Sequence, residues 1–254
     1  MGKIIAITNQ KGGVGKTTTS VNLAACLAHK NKKVLMIDCD AQGNATSGLG
    51  INPREVSLSI YDCLVDSSKI NEAIIKTKYK NLSVLPSNPD LSAAEIELAY
   101  EENREVFLKN ALKSVKNDYD FIIIDSPPAL GMLTINIMTA ADSVIIPIQC
   151  EYYALEGLTQ LIDSIKRIKK AFNSKLQIEG IVATMYDKRT NLSAQVLDEV
   201  KKHFPDKVYR TYIPRNVRLS EAPSFGLPII KYDITSLGAQ AYFLLAKEVI
   251  EANK

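Results

Sequence analysis

Residues 11–18, Lys-Gly-Gly-Val-Gly-Lys-Thr-Thr, are the residue types that grip a phosphate chain. Gly12, Gly13 and Gly15 have no Cβ to keep a backbone from wrapping an anion, so successive amides, that of Val14 included, can point inward as a nest. Lys16 brings a full positive charge for β and γ phosphates, Thr17 a hydroxyl for Mg²⁺, and Thr18 a donor for the α phosphate. Three carboxylates could complete such a centre. Asp38 and Asp40 follow the apolar run VLMID, and Asp125 ends the run FIIID.

These groups can meet only if strands deliver them to one edge. Ile4, Ile5, Ile7 and Thr8 form a β-branched run that enters the glycine turn, and Val21, Leu23, Ala24, Leu27 and Ala28 mark the helix that leaves it. Val34 to Asp38, Asn81 to Pro86, Phe121 to Asp125, Ser143 to Glu151 and the stretch QIEGIVATMYD read as further buried strands. After Asp125, Ser126-Pro127-Pro128 forces the chain out of its strand, since proline cannot donate to a ladder. Helices alternate with these strands. Leu91 with Ser92 and Glu95 reads as a staple and capping box opening a long helix to about Lys116. Later helices carry Leu155 to Ile168, Leu192 to Phe204, and Ser236 to Lys254, and Val208 to Pro214 reads as one more strand. The pattern predicts one doubly wound α/β domain over residues 1–254, with a mostly parallel sheet of about seven or eight strands flanked by helices. Such a sheet binds ligands beyond its strands' C-terminal ends, which is where Asp38, Asp40 and Asp125 fall.

Composition narrows the classes. No apolar run approaches the ~18 residues of a membrane span, and the first strand starts too early to leave room for a signal peptide, so a cytoplasmic protein is expected. Cys26, Cys39, Cys63 and Cys150 lack C-x-x-C or histidine-ligand spacing and read as buried thiols. The net charge of +3 is concentrated: residues 185–218 carry eight basic against four acidic side chains. A basic face of this kind suits a polyanion.

A phosphate loop of the usual G-x-x-x-x-G-K-[ST] form would have glycine where Gln10 stands, and here Lys11 adds a second lysine. The resulting K-G-G-V-G-K-T is the deviant Walker A signature, and the chain resembles the ParA/Soj branch of the ParA/MinD ATPases. The resemblance extends over nearly the whole chain through three motifs in order. It implies that Lys11 crosses to the phosphates of a partner's nucleotide, making an ATP-sandwiched homodimer. Asp40, in a switch I with Ala41 where the family commonly has proline, corresponds to the residue that positions or polarises water. Asp38 falls in the outer shell of Mg²⁺, and Asp125 on the Walker B carboxylate that holds it through water. Pro214 and Asn216 match the turn lining the adenine pocket. Arg189 and Arg218 match residues that bind DNA without sequence preference, and Lys188, Lys201, Lys202 and Arg215 enlarge the same basic set. The resemblance further implies slow ATP hydrolysis to ADP, stimulated by a centromere-binding ParB partner through a basic N-terminal peptide. It implies nucleoid association, chromosome or plasmid segregation, and in some members links to a replication initiator or to sporulation.

Two other readings share the loop. MinD relatives end in a basic amphipathic membrane helix, whereas the terminus here has mixed charge and is expected to pack on the domain, with no membrane partner. Metabolic ligases resembling dethiobiotin synthetase require a substrate pocket and no partner stimulation.

Overall fold

The computed structural model describes residues 2–151 and 154–254. Seven strands form one sheet: β1 Lys3–Ile7, β2 Val34–Asp38, β3 Ile75–Lys76, β4 Leu82–Leu85, β5 Phe121–Asp125, β6 Ser143–Gln149 and β7 Gln177–Thr184. Their order across the sheet is β3-β4-β2-β5-β1-β6-β7, and every pairing is parallel except the short edge pair β3–β4. The helices are α1 Lys16–His29, α2 Asn44–Ser47, α3 Ile60–Val65, α4 Ile70–Ala73, α5 Leu91–Glu97, α6 Phe107–Leu112, α7 Met132–Ala140, α8 Ala154–Ala171, α9 Asn191–His203, α10 Val217–Glu221, α11 Ile229–Tyr232 and α12 Leu237–Ala252.

Parallel strands covered on both faces must be apolar on both, which is why these runs do not alternate with polar residues. Ile4, Leu35, Ile37, Ile122 and Ile124 pack into the layer containing α3 and α5–α9. Ile5, Ile7, Val34, Met36 and Ile123 face the opposite layer with α1, α11 and α12. Each such buried side chain contributes roughly 1.5–3 kcal/mol. An Ile123→Asp change would leave an unpaired carboxylate between sheet and helices and is the kind of substitution this core cannot absorb.

Three stretches differ from their sequence-based expectation. Val208 to Pro214 is not a strand. It runs beside β7 and touches it through bridges at Ile181–Val208 and Tyr186–Pro214, but between them the amides of Arg210 and Thr211 donate to the Glu248 carboxylate on α12. A side chain has taken two donors from the middle of the segment, while the Tyr209 and Ile213 amides on either side still donate to the Ile181 and Ala183 carbonyls of β7. The long helix from Leu91 is also broken, because Asn103 adopts φ +56° and the buried Asn136 side chain takes up the backbone of Arg104 and Leu108. Asparagine tolerates that left-handed conformation better than most residues. No side chain caps α5, and the Ser92 hydroxyl donates back to the Pro89 carbonyl; the side chain of Glu95 lies outside the described residues. On α12, Ser236 caps the first turn and Ala241, Leu245 and Val249 pack inward, but Leu237 and Leu244 face solvent. All four cysteines are buried and unbridged.

Candidate active site and its basic flank

The glycine loop joins β1 to α1 at the sheet's C-terminal edge. The Asn9 side chain anchors its near end, donating to the Pro147 carbonyl at 2.7 Å and accepting from the Lys11 amide at 3.0 Å. Gly13 and Gly15 sit at φ +74° and +85°, a region that side chains strain, and no atom lies within 4 Å of where a Cβ on Gly12 or Gly13 would stand. The loop is therefore an open cradle. No side chain caps α1, so its first amides remain available to an anion. Lys16 is only 7% exposed, and its ammonium donates to the Lys11 carbonyl at 3.0 Å across the loop. Burial lowers its pKa, while Asp125 and Asp40 act in the opposite direction.

Register brings the carboxylates together, because β2 and β5 pair Asp38 with Asp125. Both are fully buried, and burial raises both pKa values; for Asp125 the Asp38 charge adds to this, while Ser20 and Thr17 act to lower it. One Asp125 oxygen accepts from the Ser20 hydroxyl at 2.8 Å, and the other, Oδ2, has no partner among the described residues. An orphaned buried carboxylate oxygen beside Thr17 is the donor set a hydrated Mg²⁺ requires. Asp38 differs. Its oxygens accept from the Asp40 amide and from the amide and hydroxyl of Thr46 at 2.8–3.1 Å, so it braces the following turn. Asp40 is partly exposed at that turn and accepts from the Gln42 amide at 3.0 Å.

Beside the loop lies a pocket of ≈ 480 Å³ whose lining includes Gly15, Thr18, Thr184, Pro214, Asn216 and Tyr242. Asn216 Oδ1 is buried there without a hydrogen-bond partner among the described residues, a free acceptor on the pocket wall.

Known proteins share this arrangement. A family model described as an AAA domain matches residues 2–178. The chain is 62% identical, over 98% of both sequences, to the sporulation initiation inhibitor protein Soj of Bacillus subtilis. The chain belongs to the ParA/Soj family. Among solved structures, cobyrinic acid a,c-diamide synthase from Mycobacterium smegmatis with bound ADP and magnesium superposes with TM-score 0.85 at 36% identity, covering 97% of this chain and 93% of that one. The cell division ATPase MinD of Pyrococcus furiosus superposes at 0.83 with 28% identity, covering 99% of each.

The ParA/Soj signature lysine, Lys11, is turned within its own chain to Glu151, with Nζ 2.7 Å from Oε2 and both side chains about half exposed. Neither Glu151 nor Ser20, Thr184 and Tyr242 stands out in the sequence. Thr184 lies within hydrogen-bonding distance of the Val14 and Ile148 carbonyls, and Tyr242 of Thr19, so they shape the pocket from β7 and α12.

The six candidate DNA-binding residues of this ParA/Soj chain do not form one cluster. Lys188, Arg189 and Arg215 are exposed on the two chain segments joined by the Tyr186–Pro214 bridge, and Arg218 is one turn further on. Lys201 and Lys202 end α9, roughly 15 Å along the helix at 1.5 Å per residue. Two of the three arginines, Arg189 and Arg218, are also already engaged. Arg189, its side chain 86% exposed, forks onto Asp187 at 2.7–2.9 Å, and its hydrogen bonds draw the Asp187 pKa down to about 2. Arg218 contacts Glu221 at 2.9 Å and Asp233 at 3.7 Å, and Lys202 contacts Glu199 at 3.0 Å. Lys188 lies over the Tyr212 ring, 5.6 Å from its centre.

Proposed function

We propose that this chain, acting as one domain across residues 1–254, is a Mg²⁺-dependent ATPase that switches DNA binding on and off for chromosome or plasmid partition. The observation that carries this reading is the unpartnered Asp125 oxygen, buried at the edge of an open glycine cradle that also holds Lys16 and Thr17. In this reading the amides of Gly12, Gly13, Val14 and Gly15 hold the phosphates, Thr18 adds a donor to the α phosphate, and Pro214 and Asn216 hold the base. Mg²⁺ on Thr17 and Asp125, with Asp38 bracing its outer shell, would neutralise phosphate charge. Asp40 orients the attacking water, and Lys11 leaves Glu151 to reach the partner protomer's phosphates. Catalysis of this kind is positioning plus charge neutralisation, for which this residue set suffices.

ATP bridging pairs two copies, the paired basic faces then hold nucleoid DNA, and hydrolysis parts them. Lysines and arginines that neutralise phosphates release counterions and bind any duplex, which suits a face without a base-reading motif. A ParB-type partner stimulates slow turnover, and coupling to a replication initiator or to sporulation is a further role on this reading. The chromosome partitioning protein ParA of Myxococcus xanthus, 51% identical over 99% of this chain, weighs toward partition over the amide-forming and cell-division proteins at 36% and 28%. Against a basic amphipathic membrane helix at the terminus, the last turns of α12 carry a Lys247–Glu251 pair at 3.9 Å and bury Val249 against the domain.

The test is a gel shift on nonspecific duplex. ATP should retard the DNA and ADP should not, and Asp40→Ala with ATP should retard it persistently. Equal retardation by ATP and ADP, or cosedimentation with liposomes in place of DNA, would reject the reading.

A further inference from the structure

The turn that carries Asp40 is closed by the carboxylate of Asp38. Residues 38–46 leave β2 and run into α2, and Asp38 spans them: Oδ1 accepts from the Asp40 amide at 3.1 Å and Oδ2 from the Thr46 amide at 2.8 Å. Within that span the Gln42 amide donates to the Asp40 side chain and the Gly43 amide to the Asp40 carbonyl. An amide in the first turn of a helix commonly finds the side chain of its own cap. The cap of α2 is Gly43, held at φ +64°, and a Cβ there would stand 2.6 Å from the Pro53 ring. No capping side chain fits at that position, so Asp38 does the capping from β2.

Thr46 ties this turn to the sheet. Its hydroxyl gives its one proton to Asp38 Oδ2 at 2.8 Å and accepts from the Ser87 amide at 3.0 Å. Asp38, Thr46 and Ser87 are all fully buried, so a bond lost among them leaves a polar group unmet. The far end is fixed framework. Ser87 follows β4, the strand paired with β2, and the neighbouring Asn88 accepts from the hydroxyl of Ser59, which caps α3. Asp40 has no such anchor of its own: among the described residues its side chain accepts a hydrogen bond only from the Gln42 amide.

We propose that Thr46 is a positioning residue for hydrolysis: by joining Asp38 to the Ser87 amide, its hydroxyl fixes the turn from which Asp40 directs the attacking water. Thr46 acts only through Asp38 and the backbone between them. The assignment rests on the ATPase reading and on the part Asp40 has in it. Alignment of a nucleophile is sensitive to such support, since a misplacement of about 1 Å can cost on the order of a hundredfold in rate.

The test compares Thr46→Val, which keeps the branched shape but can neither donate nor accept, with Thr46→Ser, which keeps the hydroxyl. Single-turnover hydrolysis by Thr46→Val should be slower by about tenfold or more, while affinity for a fluorescent ATP analogue changes by less than about threefold. With Mg²⁺ and ATP, light scattering should show the dimer persisting correspondingly longer. Thr46→Ser should bring hydrolysis and dimer lifetime back to within about threefold of the unaltered chain. A substitution that merely loosens the core weakens nucleotide and dimer together and does not prolong the dimer. Hydrolysis by Thr46→Val at the unaltered rate, no rescue by Thr46→Ser, or nucleotide affinity lost in step with hydrolysis overturns the inference. Should Thr46→Val not fold, Thr46→Ala, with its better helix propensity, takes its place; failure of both to fold assigns Thr46 to the core and overturns the inference too. Asp40→Ala, run alongside, separates the two claims. Normal hydrolysis by Asp40→Ala removes Asp40 from the ATPase reading and the Thr46 assignment with it. A trapped Asp40→Ala dimer beside normal turnover in Thr46→Val removes the Thr46 assignment alone.

Discussion

The two ends of the proposed cycle are built in opposite ways. At the sheet edge the polar groups are buried, fixed by strand register, and two acceptors, Asp125 Oδ2 and Asn216 Oδ1, are left unpartnered. On the basic flank the charges are exposed, and three of the six are already held by their own carboxylates, Arg189 by Asp187, Lys202 by Glu199 and Arg218 by Glu221. A site with buried unpaired groups is preorganised and gains most when its ligand arrives, because the desolvation cost is already met. A face of exposed ion pairs gains little per contact, since phosphates must replace partners already present. A single copy should therefore hold nucleotide well and DNA poorly, and on the proposed reading doubling the face would make DNA binding strong.

That contrast can be broken, beginning with its largest consequence. Lys16→Ala should remove about 2–5 kcal/mol of nucleotide binding by titration calorimetry, because the buried ammonium has no substitute, and DNA retention should vanish with it. Unchanged affinity would mean the cradle does not hold phosphates. Arg189→Glu should leave ATP dimerisation intact while lowering duplex retention about tenfold at moderate salt and flattening its salt dependence; retention equal to that of the unaltered chain removes Arg189 from the DNA face. Asn216→Ala should weaken ATP a few-fold, on the order of 1 kcal/mol, but leave tripolyphosphate competition unaltered, since it removes one base contact. The smallest effect sharpens the comparison most. Asp187→Asn frees the Arg189 fork and should tighten DNA slightly, with the thermal midpoint of unfolding unchanged because the pair is exposed; weaker binding would show that the pair positions the arginine.

The phosphate loop, the two strand-end carboxylates and the alternation of strand and helix were legible because each is local: neighbouring residues carry the chemistry, and both-face burial writes itself as an apolar run. The remainder depends on distant partners. Nothing near Glu151 announces that Lys11 will reach it, and Thr184 and Tyr242 line the pocket from elements that read only as core. Val208 to Pro214 has a strand's residue types, yet Glu248, some forty positions on, claims two of its amides. The count of basic residues in 185–218 was correct, but the count did not show that Lys201 and Lys202 stand a helix length away or that Arg189 and Arg218 are paired. Asn103 and Asn136 broke a helix whose periodicity gave no warning.

The central claim is that an occupied nucleotide site joins two copies. Multi-angle light scattering on Asp40→Ala, with Mg²⁺ and saturating ATP, tests it directly. The account predicts twice the single-chain mass with ATP and the single-chain mass with ADP or with no nucleotide. A single-chain mass in all three conditions, with ATP shown to be bound and unhydrolysed, would contradict it.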